Sequence, residues 1–128
     1  MRLPDPLRRG LPRMLVLTFA VSGAGNCVEV GGAPFVYART TLGSFVLPAR
    51  CSHRGGPLHL ARVEPGRARL ICPWHEQATS VKRLARTGIP AVRRGEVVTA
   101  VFADATPDNW STGHLPLSPD LDGTSVSV

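Results

Sequence analysis

Apolar residues recur at alternate positions in short runs along this chain, and turn-forming residues interrupt them roughly every eight to ten positions. Met14 to Ala20 forms the first such run, closed by the turn cluster Ser22-Gly23-Ala24-Gly25-Asn26. Cys27-Val28-Glu29-Val30 alternates as a short strand, and Gly31-Gly32 turns it into Phe35 to Thr40, so the pair predicts a hairpin. Leu42-Gly43 makes the next turn, into Ser44-Phe45-Val46-Leu47. Further along, Gly55-Gly56-Pro57 and Glu64-Pro65-Gly66 mark turns, Ala68 to Ile71 reads as a strand, and after His75 the chain leaves as Ala78 to Lys82. Ala91-Val92-Arg93, a turn at Gly95 and the β-branched run Glu96 to Phe102 close the pattern with its clearest strand. No amphipathic helix longer than a turn or two is predicted.

Composition agrees with a mostly β chain. Twelve prolines and thirteen glycines in 128 residues favour turns, and 43% hydrophobic residues supply one core without disulfide staples. Of three cysteines, two fall in the stretch discussed next; Cys27 is left over and predicts a small buried apolar residue. The absence of a disulfide framework points to a reducing, cytoplasmic setting. Arg8-Arg9 ahead of Met14 to Val21 superficially resembles an export signal, but the run is short, follows Pro12-Arg13, and has no small-residue cleavage site after it. No segment has the length of a membrane span.

Charge divides the chain into three. Residues 1–13 form a basic N-terminal arm, with four arginines against Asp5. Residues 14–103 carry ten arginines and Lys82 against four glutamates, a net +7, whereas residues 104–128 hold four aspartates and no basic residue. That last part is a Pro/Ser/Asp-containing tail, expected to drape on the surface or stay disordered. Trp110 is its expected anchor, and His114 is expected to be solvated. Scattered arginines with few aromatics between them do not make a nucleic-acid platform; they read first as a solvated arginine-rich surface, and in the sharper reading as a face for an acidic protein partner.

The chemistry lies directly after the fourth and after the fifth predicted strands. Cys51-Ser52-His53 and Cys72-Pro73-Trp74-His75 each put one Cys and one His in a short loop, with eighteen residues between His53 and Cys72. Thiolates favour zinc or iron-sulfur centres, and imidazole suits both. The residues alone therefore leave a zinc-stabilised binding module open beside an iron-sulfur site. His59 lies outside either pair and predicts a surface or packing role.

These residues resemble a Rieske-type [2Fe-2S] protein. The resemblance rests on Cys51-Ser52-His53-Arg54-Gly55-Gly56-Pro57-Leu58 and Cys72-Pro73-Trp74-His75, and extends over roughly residues 14–103. It implies an all-β Rieske fold, antiparallel sheets with a cluster-binding subdomain of about residues 46–85 inserted. It further implies that Cys51 and Cys72 bind the inner iron and His53 and His75 the outer one. Gly56 and Trp74 stand about where the respiratory type has its extra loop cysteines, so the chain is more similar to the soluble Rieske ferredoxins of oxygenase systems. One departure stands out. Glu76-Gln77-Ala78-Thr79 replaces the glycine and later aromatic that usually follow the second histidine, and a carboxylate beside His75 is expected to lower the potential.

The resemblance implies a one-electron carrier that is not itself an enzyme. It would take electrons from a flavin-dependent or other reductase and pass them to an oxygenase with an acidic docking face, with no nucleic-acid or membrane partner. The sequence supplies no second metal set of two histidines and a carboxylate, so a complete oxygenase is not expected. An auxiliary Rieske subunit with a structural or sensing role is the remaining alternative. Arg54 and Trp74 flank the ligands, and for Trp74 shielding the cluster and facing a partner stand equal.

Overall fold

The computed structural model describes residues 14–50, 55–74, 78–86, 88–103, 105 and 108–124, with the side chains of residues 85 and 86 excepted. The basic arm expected at residues 1–13 lies outside them. The described chain is almost wholly antiparallel β, as the alternation predicts. β1 (Met14–Ala20), β8 (Ala91–Arg94) and β9 (Val97–Ala103) form one sheet in the order β1-β9-β8. β2 (Cys27–Val30), β3 (Ala33–Thr40), β4 (Gly43–Pro48) and β10 (Trp110–Gly113) form a second, in the order β10-β2-β3-β4. A third, smaller sheet, β5-β6-β7, comprises Arg62–Glu64, Arg69–Ile71 and Ala78–Ser80.

Burial accounts for the pattern of each strand. β1 buries Leu15, Leu17 and Phe19 and exposes Met14 and Val16, the period of a strand with one covered face. Its partner β9, in register Leu17↔Ala100, buries Val98, Ala100 and Phe102. The second sheet is covered on both faces. Val28, Tyr37 and Val46 join the first core beside β1 and β9, while Cys27, Val36, Ala38 and Leu47 join a second core with Leu58, Leu70 and Cys72. Two covered faces make successive residues apolar, hence the unbroken run Val36-Tyr37-Ala38. Cys27 is buried as expected. Burial is the main cause that raises its thiol pKa, so it stays protonated and behaves as a small apolar side chain.

The exit over Ala78 to Lys82 divides into β7 and the start of a short helix, α1 (Val81–Arg86). Ser80 caps it: the Arg83 N–H donates to Ser80 Oγ at 3.3 Å, and Val81 sinks into the second core.

The largest departure concerns the acidic tail. Far from lacking a packing role, residues 108–124 return across the molecule. β10 pairs with β2 from Trp110↔Val30 to Gly113↔Cys27, and Leu121 is fully buried in the second core. Asn26, itself buried, holds this strap at both polar groups of Leu115: its Nδ2 donates to the Leu115 carbonyl at 2.7 Å, and the Leu115 N–H donates to its Oδ1 at 2.9 Å. Beyond that point the strap reaches the small sheet. The Val63 N–H donates to Asp120 Oδ2 at 2.9 Å, and Ser118 Oγ donates to the Ala61 carbonyl at 2.6 Å. Trp110, expected to anchor the tail, is 44% exposed, and the anchors are Asn26 and Leu121. Asn26→Ala strands two backbone groups of the strap, and we expect it to lower unfolding stability by about 2 kcal/mol in urea denaturation.

Candidate metal centre

Two loops emerge from antiparallel pairing at their bases. The first is closed by the Arg50↔Pro57 bridge and by the Leu58 N–H donating to the Ala49 carbonyl at 2.9 Å. Cys51 and His53 belong to this loop by sequence but lie outside the described residues, as does Arg54. The second loop leaves β6 after Ile71 and returns at Ala78, and these two residues are paired across β6 and β7. It carries Cys72 and Trp74 within the described residues; His75 and Glu76 lie outside them.

Cys72 is 1% exposed, set among Leu58, Leu70 and Val81 in the second core. A thiol in such surroundings is a poor nucleophile but a suitable soft donor to a metal at the protein's inner side.

The two loops meet at Gly56. A Cβ placed on this residue would stand 2.8 Å from Cys72 Sγ and 3.1 Å from Trp74 Cβ, closer than side-chain atoms pack. Bare backbone is what lets the first loop lie directly on the sulfur of the second. Gly55 serves the turn instead, since its φ of 69° lies in the left-handed region that glycine enters without strain. Sequence alone identifies Gly55-Gly56-Pro57 as a turn, whereas the contact of Gly56 with Cys72 comes only from the fold. The observed donor chemistry and cradle fit a thiolate-held iron-sulfur centre. Among the described residues no group of three or more His, Cys, Asp or Glu side chains is gathered for a further metal ion.

Trp74 is 53% exposed, with its Cβ and Cγ over Gly56 and much of the indole open to solvent. The base of the side chain lies on the loop contact at Gly56, and the residue as a whole is half exposed. His59 packs as expected, with Nδ1 3.3 Å from the Ala49 carbonyl, while its own carbonyl accepts from the Ser118 N–H at 3.1 Å. His114 is exposed on the strap.

Comparison with known proteins agrees with this construction. The family model for the Rieske [2Fe-2S] domain matches residues 18–103. A human Rieske domain-containing protein is 55% identical over 29 residues, which make up 21% of this chain and 18% of that protein. The aligned part thus spans under a fifth of that relative's length. No solved structure gives a significant match. With a family match running from β1 through β9 and including both loops, the chain belongs to the Rieske [2Fe-2S] domain family, whose cofactor is a [2Fe-2S] cluster.

Proposed function

We propose that this chain is a one-electron carrier in which Cys51, His53, Cys72 and His75 hold the cluster, and that it passes electrons from a reductase to an oxygenase. A Rieske domain is an electron-transfer module and does no bond chemistry of its own. The cluster, when bound, supplies a one-electron couple, whose potential for this ligand type lies within about −150 to +300 mV. What supports the ligand assignment is that the two loops carrying the Cys-plus-His pairs approach closely at Gly56 and Cys72.

The protein's part is to exclude water from the inner side and present the outer side. Cys72 is buried in the second core, whereas Trp74, two residues on, is half exposed. An electron leaving through the second loop would therefore cross a surface that a partner can touch. The net +7 of residues 14–103 supports an acidic partner face, since complementary charge raises encounter rates. Among the described residues no helix is long and apolar enough to cross a membrane.

Stopped-flow transfer to a Rieske-type oxygenase, after reduction by a flavin-dependent ferredoxin reductase, tests the reading. The second-order rate is expected to fall as ionic strength rises. A cluster-bearing protein that supports no turnover with any such pair would instead be an auxiliary subunit. A separate expectation concerns Glu76: in Glu76→Gly, loss of the carboxylate removes charge that favours the oxidised state, so the midpoint potential measured by voltammetry should rise.

A further inference from the structure

A cavity of about 350 Å³ opens beside the two cluster loops, and one of its walls is built by the C-terminal strap. It lies at the size of small-molecule sites. Its presence depends on Gly113. This residue pairs with Cys27 across β10 and β2, and cross-strand partners project to the same face. Cys27 lines the cavity, and a Cβ built on Gly113 meets nothing within 4 Å, so the space opposite Cys27 is open because residue 113 has no side chain.

The chemistry of the walls is divided. Trp74 gives a half-exposed indole, and Pro57 and Leu115 extend the apolar side. Arg50 and His114 bring hydrogen-bond donors, and Glu29 is the one acid among the described residues of the lining. The His59 Nδ1–H donates to the Ala49 carbonyl at 3.3 Å, so Nε2 of the neutral ring is an acceptor and does not serve an anion. A flat apolar surface beside a guanidinium and the His114 imidazole matches a ring bearing a carboxylate. We propose that this cavity binds a small aromatic carboxylate, with the ring against Trp74 and the carboxylate toward Arg50 and His114. The site stands whether or not the electron acceptor is an oxygenase.

Calorimetric titration of the iron-loaded full chain with 2-naphthoate tests it. Cyclohexanecarboxylate keeps the charge without the flat ring, and naphthylmethylamine keeps the ring with the opposite charge. Saturable one-to-one binding of naphthoate is expected, at least tenfold tighter than either control. Gly113→Leu should weaken it tenfold or more by occupying the space, and His114→Ala should weaken it severalfold. His114 is exposed, so the second variant folds even if the first does not, and an unchanged cluster absorption spectrum confirms that either variant is intact. Absence of saturable binding overturns the proposal. So does equal affinity for the amine, or naphthoate binding that neither intact variant reduces.

Discussion

Cys72→Ala is expected to give a colourless protein without iron, while Cys27→Ala keeps the full cluster spectrum. The two residues share one core, are both buried and differ in one respect: Cys72 stands at the mouth of a loop that also carries a histidine, against the backbone of the other loop. Cys27 lies on an inner strand, paired with Gly113 on one side and Val36 on the other, and belongs to neither loop, so it is not placed to act as a ligand. Iron-to-protein ratio and visible absorbance of the freshly purified variants separate the cases. The outcome that contradicts this assignment is a colourless Cys27→Ala or a fully loaded Cys72→Ala. The apo form of Cys72→Ala should also unfold earlier than the loaded wild type, because a bound centre stabilises only the folded state.

The second large effect is expected at Gly56. In Gly56→Ala the new methyl would sit 2.8 Å from Cys72 Sγ, with Trp74 Cβ 3.1 Å away on the other side, so the loops must separate. Forced overpacking of this kind costs about 1–3 kcal/mol, and displacement of the sulfur should lower cluster occupancy as well. Gly66→Ala is the control: a Cβ there meets nothing within 4 Å and the backbone is not left-handed, so stability should change by less than about 0.5 kcal/mol. Thermal unfolding and iron content of the two variants, measured side by side, decide whether Gly56 matters for contact or merely for turning the chain. Equal behaviour of the two would remove the close approach from the account.

How far the sequence leads depends on burial. β1 is legible to its ends, from Met14 to Ala20, because one face is covered and the other is not. β3 and β4 are legible as apolar runs because their sheet is covered twice. β5 is three residues long with Val63 as its sole apolar member, and gives no period to find. β10 is Trp-Ser-Thr-Gly, exposed throughout, and it joins β2 through backbone hydrogen bonds that leave no trace in side-chain pattern. The strap built on it is held by Asn26, 89 positions away from Leu115 in the chain, a pairing no local signal reports. Acidic composition and prolines thus describe the tail correctly and miss its place in the core.

The candidate site shows the same division. The four ligand positions are readable because each pair is contiguous and its residue types limit the chemistry to thiolate and imidazole coordination. Of these positions, Cys72 alone falls in the described residues, where it is buried. What the pattern cannot carry is the second use of the glycine turn, the half-exposed Trp74 and the cavity that the strap completes, all of which arise from segments distant in the chain.

The central claim is that one cysteine and one histidine from each loop hold two irons. An EPR spectrum of the dithionite-reduced protein, recorded with electron-nuclear double resonance, tests it most directly. The account predicts a reduced [2Fe-2S] signal with couplings from two imidazole nitrogens, lost in Cys72→Ala. A colourless, EPR-silent protein containing zinc would contradict it, as would a [2Fe-2S] signal without nitrogen coupling.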